Sequence, residues 1–123
     1  MTKIAYNGKH GGFSISNAAL IRAREISGNP RWAGCCLKGE TYSDGSKCDF
    51  DFDGHHISDY GDDKIERTDP VLIQVIEELG KEANGSCADI RIEDLPAGTF
   101  YRIQEYDGLE WIETDSSIDW KVA

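Results

Sequence analysis

The stretch TDPVLIQVIEELG, residues 68–80, has the pattern of a complete amphipathic helix. Thr68 or Asp69 can cap it, because a side-chain oxygen at that position accepts hydrogen bonds from the first amides of a helix. Pro70 suits the first helical position, where its missing N–H is not needed. The apolar residues recur at helical spacing and define one face, formed by Val71, Leu72, Val75, Ile76 and Leu79.

After this helix, which ends at Gly80 or Gly85, the sequence predicts antiparallel strands. Residues 88–93 alternate apolar and charged side chains, as a strand with one buried face does. Asp107-Gly108 is a strong signal for the turn of a hairpin, here between strands over 100–106 and 109–114. A further short strand is predicted through Ile118 and Trp120, and Trp111 is expected in the core.

The residues before position 29 predict one strand and one helix. Residues 3–6 form the short strand, and Ser14 or Ser16 caps a helix that runs to about Ser27 and ends at Gly28. The apolar face of this helix is expected to consist of Ala18, Ile21 and Ile26, together with Ile15 just outside it. The whole pattern predicts an α+β fold: an antiparallel sheet of about four strands, two helices and a long irregular insertion.

The composition fits one globular domain over residues 1–123, with 39% hydrophobic and 29% charged residues. Asp and Glu number 23 against 13 Lys and Arg, which gives a formal charge of −10. This excess disfavours direct binding to nucleic acid or to an anionic membrane, since both need cationic side chains. It favours a cationic partner, such as a protein groove that normally holds nucleic acid.

The first residues, MTKIAYNGKHGGF, contain no apolar run of signal-peptide length, and no later run reaches the length of a membrane span. We therefore expect a cytoplasmic protein. In a reducing compartment its four cysteines are expected to be thiols, metal ligands or buried apolar groups rather than disulfides.

The insertion, residues 29–67, is too long to be an ordinary connection and should be held in place by something. It contains the spacing C-C-x11-C-x6-H-H, formed by Cys35, Cys36, Cys48, His55 and His56. Thiolates and imidazoles are the ligands of tetrahedral zinc, and four of them would make a closed structural site. The spacing lacks the C-x2-C of common zinc ribbons, so the alternative is buried cysteines and loop histidines. His10 and Cys87 are reserve ligands from elsewhere in the chain.

The string DFDFDG, residues 49–54, copies the start of a calcium-binding EF-hand loop. The match fails at the twelfth position, where Tyr60 replaces the bidentate glutamate. An edge strand with its aspartates in water is the better interpretation.

Three strings of this sequence share a pattern outside the insertion: GGFSIS (11–16), RTDPVLIQVIEELG followed by ANG (67–85), and EYDG followed by EWI (105–112). Together they resemble a family of small phage-borne proteins that is mostly uncharacterised. The resemblance implies a phage origin and action in the cytoplasm of a bacterial host. The sequence departs from the family pattern at 117–120, where SIDW replaces a basic ending, and in the Cys-rich insertion.

These observations lead to a first hypothesis, that the protein is an inhibitor. An enzyme is disfavoured because no catalytic constellation is recognisable. The protein would be a phage-encoded inhibitor of a host defence protein, most concretely an anti-CRISPR that binds a Cas effector and blocks nucleic-acid loading. The insertion carries nine acidic and two basic residues between Glu40 and Glu66. The residues expected to bind the partner are Asp44, Asp49, Asp51, Asp53, Asp59, Asp62 and Asp63, with Trp32 and Trp120 as surface anchors.

The second hypothesis is a binding protein that sequesters a small nucleotide signal. Arginine side chains can pair with phosphates and stack on bases. The candidates are Arg22, Arg24, Arg91 and Arg102.

Overall fold

The structure, a computed structural model, describes residues 2–30, 32–34, 37–41, 45–48, 53–57 and 64–114. Its elements are β1 (Thr2–Asn7), α1 (Asn17–Ser27), α2 (Pro70–Leu79), β2 (Ile90–Leu95), β3 (Tyr101–Tyr106) and β4 (Leu109–Thr114). Short 3-10 turns cover Trp32–Gly34 and Gly80–Ala83. The predicted α+β class and its two helices are confirmed, while the strand expected at 118–120 lies outside the described residues.

Both helices begin and end where the local sequence signals predict. The Ser16 hydroxyl accepts a hydrogen bond from the Ala19 amide at 3.1 Å, and Gly28 ends α1 in the left-handed conformation. At α2 the Asp69 carboxylate accepts from the amides of Val71 and Leu72, at 2.9 and 3.2 Å. These caps satisfy amides that have no partner within the helix.

The buried face of α1 differs from the predicted one. Ala19, Leu20 and Ala23 are fully buried, whereas Ala18 is exposed and Ile21 is 47% exposed. Ala19, Leu20 and Ala23 lie three, four and seven residues after the cap Ser16, a spacing that places them on one side of the helix. That side packs against the rest of the protein, and the expected face formed by Ala18 and Ile21 points outward.

The strands form two separate antiparallel pairs instead of the single four-stranded sheet that the sequence predicts. In one sheet β1 pairs with β2, with Asn7 opposite Ile90 and Thr2 opposite Leu95. In the other, β3 and β4 form the predicted hairpin. Asp107 and Gly108 at its turn have φ angles of 50° and 84°, the positive values that a type I′ turn requires.

The edge of β1 that faces away from β2 forms hydrogen bonds with groups that do not belong to a neighbouring strand's backbone. This explains why β1 does not pair with the hairpin to form a single sheet. The Ala5 amide donates to the Arg67 carbonyl at 2.9 Å. The Asn7 amide donates to Oε1 of Glu110, a side chain of β4, also at 2.9 Å. Because these two outward amides already have partners, that part of β1 cannot form a backbone ladder with the hairpin.

The core lies between the helices and the inner face of the first sheet, around Phe13, Ile15, Leu20, Leu72 and Val75. The insertion contributes to it through Trp32, which is 4% exposed. Trp111 does not: it is 41% exposed, on the side of the hairpin opposite Glu110, so the expectation that it belongs to the core is wrong.

Candidate functional site

The described part of the insertion is tied to the chain just before α1 by backbone hydrogen bonds. The Ile15 amide donates to the His55 carbonyl at 3.0 Å, and the His55 amide donates back to Ile15 at 2.8 Å. Close by, the Ser86 amide donates to the Asp53 carbonyl at 2.9 Å. Residues 53–55 are thus held between two other parts of the chain, and this fixes where the acidic segment meets the fold.

His55 is buried at this junction, with 5% of its surface exposed. Its Nε2 lies 2.6 Å from Oδ1 of Asn17, an oxygen that can only accept, so Nε2 carries the hydrogen and Nδ1 the lone pair. Burial lowers the pKa of His55, outweighing the opposing charge of Asp53. The ring is therefore neutral at neutral pH, the form in which histidine binds a metal.

His56 lies beside it but is exposed. Its Nδ1 is 3.0 Å from the Phe13 carbonyl, which can only accept. The hydrogen therefore sits on Nδ1 and the lone pair on Nε2. A backbone carbonyl that receives the second ring N–H is a common orienting contact of metal-binding histidines.

Cys48 is almost fully buried, 2% exposed, in a small turn that is anchored to α1. Its amide donates to the Glu40 carbonyl at 2.7 Å, and the Gly39 amide donates to the Cys48 carbonyl at 2.8 Å. The Glu40 carboxylate in turn accepts both Nη groups of Arg24, each at 2.7 Å. Through this ion pair the turn is fixed to α1.

The predicted zinc ligands are only partly covered by the described residues. Cys48, His55 and His56 lie there, and Cys35 and Cys36 lie outside. Within the described ranges, no group of three or more His, Cys, Asp or Glu side chains could hold a metal ion. The structure therefore gives no support to an insertion held by metal.

The predicted partner-binding residues are distributed in the same way. Asp53 is exposed, and its Oδ1 accepts the Asn17 amide at 2.6 Å. Trp32 lies in the core, so its expected role as a surface anchor is wrong. The remaining candidates fall outside the described residues: Asp44, Asp49, Asp51, Asp59, Asp62, Asp63 and Trp120.

The sequence pattern gives no sign of a buried polar cluster at the closed edge of β1. Arg67 donates to both oxygens of Glu110, at 2.7 and 2.9 Å, and its guanidinium lies 3.8 Å from the centre of the Phe13 ring. Asn7, fully buried, donates to the carbonyls of Lys9 and Gly108 at 2.6 and 2.7 Å and accepts the Asp89 amide at 2.8 Å. Arg67 and Glu110 both lie inside the strings that resemble the phage-borne family, which is the one signal that could have singled them out.

The hairpin and its preceding loop present large aromatic side chains to solvent. Phe100 is 77% exposed and Tyr106 is 71% exposed, and Trp111 shares a face of the hairpin with Tyr106. His10 packs edge-on against Tyr106, with ring centres 6.3 Å apart. The exposed large aromatic side chains of the described residues thus all lie on the hairpin or just before it.

Comparisons with protein-family models, curated proteins and solved structures find no match for this chain. The resemblance to small phage-borne proteins therefore stays a prediction. Among the described residues, none of the helices has both the length and the apolar character needed to cross a membrane.

Proposed function

We propose that this chain is a phage-encoded inhibitor of a host defence protein, acting by binding rather than by catalysis in the cytoplasm of the bacterial host. In its most concrete form it is an anti-CRISPR that binds a Cas effector and blocks nucleic-acid loading. One observation carries the proposal: nine acidic and two basic residues lie between Glu40 and Glu66, in a chain whose net charge is −10. Cas effectors hold guide and target in channels lined by cationic side chains, to which such a segment is complementary.

The described ion pairs place cations at the two ends of the acidic segment and elsewhere on the fold. Arg22 pairs with Glu78 at 2.8 Å and Arg102 pairs with Glu113 at 2.8 Å, both away from the insertion. Lys64 and Arg24 pair with Glu66 and Glu40, the two ends of the segment.

The same ion pairs weigh against a protein that sequesters a nucleotide signal. Every arginine that the structure describes forms an ion pair with a carboxylate of the same chain, the four candidates among them. A phosphate ligand would have to displace these carboxylates. The open groove of about 690 Å³ between β1 and α2 is lined by Lys3, Glu77 and Glu78, whose net charge is negative and would repel a phosphate.

We further propose one structural zinc ion per chain, bound by four of Cys35, Cys36, Cys48, His55 and His56. The described candidates are chemically suited to it. Cys48 and His55 are buried, His55 is held neutral, and the Phe13 carbonyl orients the His56 ring. A closed site of this kind would fix the acidic segment through metal coordination, since the segment has few aliphatic residues to pack.

The inhibitor proposal is tested with purified Cas nucleases, each with its guide RNA and a labelled target DNA. When added before the nucleic acid, the chain should inhibit cleavage, and when added afterwards it should inhibit far less. A variant with Asp49, Asp51 and Asp53 each changed to Lys should lose inhibition, because its charge no longer suits the channel. A matched control changes Glu25, Glu82 and Glu105 to Lys, three exposed residues outside the insertion.

Equal inhibition by both triple variants would reject the electrostatic mechanism. Absence of inhibition by the parent chain across the panel would reject the function itself. Circular dichroism on each variant separates loss of binding from loss of fold.

A further inference from the structure

The strand β2 has one edge paired with β1 and a second edge that no described residue continues as a ladder. An unpaired edge presents a row of amides and carbonyls to any strand that can match it. Arg91, Glu93 and Asp94 are exposed on this strand. The edge is therefore reachable, and the question is which strand would fit it.

The hydrogen bonds of the first sheet determine which backbone groups of β2 point to the free edge. The Gly8 amide donates to the Asp89 carbonyl at 2.7 Å, which makes this pair a hydrogen-bonded one. In an antiparallel ladder such pairs alternate, so Arg91 and Glu93 direct their backbone groups to β1. Ile92 and Asp94 must then direct theirs outward.

Two observations agree with this assignment of the backbone groups of β2 to the paired and the free edge. On β1 the same alternation turns the amides of Ala5 and Asn7 away from β2, and both indeed donate elsewhere, to Arg67 and Glu110. On β2 the Ile90 amide donates to the Asn84 side chain at 2.8 Å, on the free side. Asn84 thus closes one end of the edge, and the outward amides of Ile92 and Asp94 have no partner among the described residues.

We propose that two copies of this chain pair through the free edges of their β2 strands, antiparallel and centred on Ile92. In this register Ile92 of each copy faces Ile92 of the other as a hydrogen-bonded pair, which the outward phase requires. Arg91 of one copy then lies directly opposite Glu93 of the second copy, and the symmetry axis repeats the pair. The two copies would form one four-stranded sheet with strands in the order β1, β2, β2, β1.

The two neighbouring registers that keep the same backbone phase are disfavoured by the same side chains. A shift that centres the axis on Arg91 brings two guanidinium groups together, and one centred on Glu93 brings two carboxylates together. Like charges directly opposite each other destabilise an antiparallel pair. The hydrogen-bond phase thus permits the register centred on Ile92, and the charges favour it over its two neighbours.

The test measures molecular mass against concentration by sedimentation equilibrium. The parent chain, 13.7 kDa, should approach twice that mass as its concentration rises. Arg91→Glu and Glu93→Arg should each weaken association by about tenfold or more, since each places like charges opposite in both symmetric pairs. An equimolar mixture of these two variants should associate again, because each supplies the charge that the other lacks.

Two further variants keep the result interpretable. Lys81→Glu changes an exposed charge by the same amount outside β2 and should leave association unchanged. Asp94→Pro removes an outward amide without touching the ladder to β1 and should abolish association while the monomer stays folded. A parent chain that remains monomeric at every concentration overturns the proposal. So does an association that survives both Arg91→Glu and Asp94→Pro.

Discussion

Arg67 and Glu110 form a bidentate ion pair that joins the turn before α2 to strand β4. The two donor–acceptor distances are 2.7 and 2.9 Å, and the side chains are 16% and 9% exposed. Glu110 also accepts the Asn7 amide, so one carboxylate satisfies donors from two other parts of the chain. The pair holds the hairpin against the first sheet, a task that backbone pairing does not perform here.

Removal of the carboxylate should therefore destabilise the protein strongly. Glu110→Ala leaves a largely buried guanidinium without its counterion, and we expect a loss of about 3 kcal/mol in the free energy of unfolding. The matched control is Glu113→Ala, which breaks the exposed pair with Arg102 and should cost less than about 1 kcal/mol. Urea denaturation of both variants measures the difference, and equal losses would contradict a special role for Glu110.

Asn7→Ala tests the second member of the buried cluster. Its amide group has three backbone partners, those of Lys9, Gly108 and Asp89, which would be left without it. Because buried polar groups without a hydrogen bond are costly, the free energy of unfolding should fall by about 2 kcal/mol or more. Gln74→Ala, at an exposed position of α2, serves as the comparison in the same denaturation experiment and should change little.

The hairpin tip offers a comparison between two glycines with nearly equal backbone angles. Gly108 and Gly98 have φ values of 84° and 86°, so alanine is strained by a similar amount at each. A methyl group at Gly98 meets open space, whereas at Gly108 it would lie 2.6 Å from the Gly11 nitrogen.

Gly98→Ala should thus cost about 1 kcal/mol from strain alone. Gly108→Ala should cost clearly more, since the tip must also move away from the Gly11-Gly12 loop. Thermal unfolding of the two variants measures this difference. Identical midpoints would show that the hairpin tip is not in close contact with the Gly11-Gly12 loop.

Zinc content is directly measurable by elemental analysis of the purified chain, with about one equivalent expected. Cys48→Ser should lower this value and destabilise the protein, whereas Cys87→Ser, at an exposed position, should retain both metal and stability. A metal-free parent that is well folded, with all of its thiols titratable, would refute the site.

The sequence predicts those features of the fold that depend on neighbouring residues. Ser16, Asp69 and Pro70 act within one helical turn, and Asp107-Gly108 acts within one hairpin, so the ends of these elements are correctly predicted. The arrangement of the strands is not predicted correctly. It depends on Arg67 and Glu110, which are 43 residues apart and carry no periodic signal of their contact.

The same limit applies to the candidate site. Burial of Trp32 and exposure of Trp111 are set by the packing of distant elements, and an aromatic residue gives no local indication of either. Residue type and spacing indicate His55 as a candidate ligand. Its hydrogen bond to Asn17 and its burial follow only from the backbone bridge to Ile15.

The pairing of β1 with β2 also bears on how the chain is made. Asn7 lies opposite Ile90 and Thr2 opposite Leu95, so the partner of the first strand is synthesised long after it. During translation β1 must wait, unpaired, until β2 has left the ribosome, while the hairpin of β3 and β4 can close as soon as it emerges. Contacts this distant along the chain are slow to form, so we expect docking of β1 to be the late, rate-limiting event of folding.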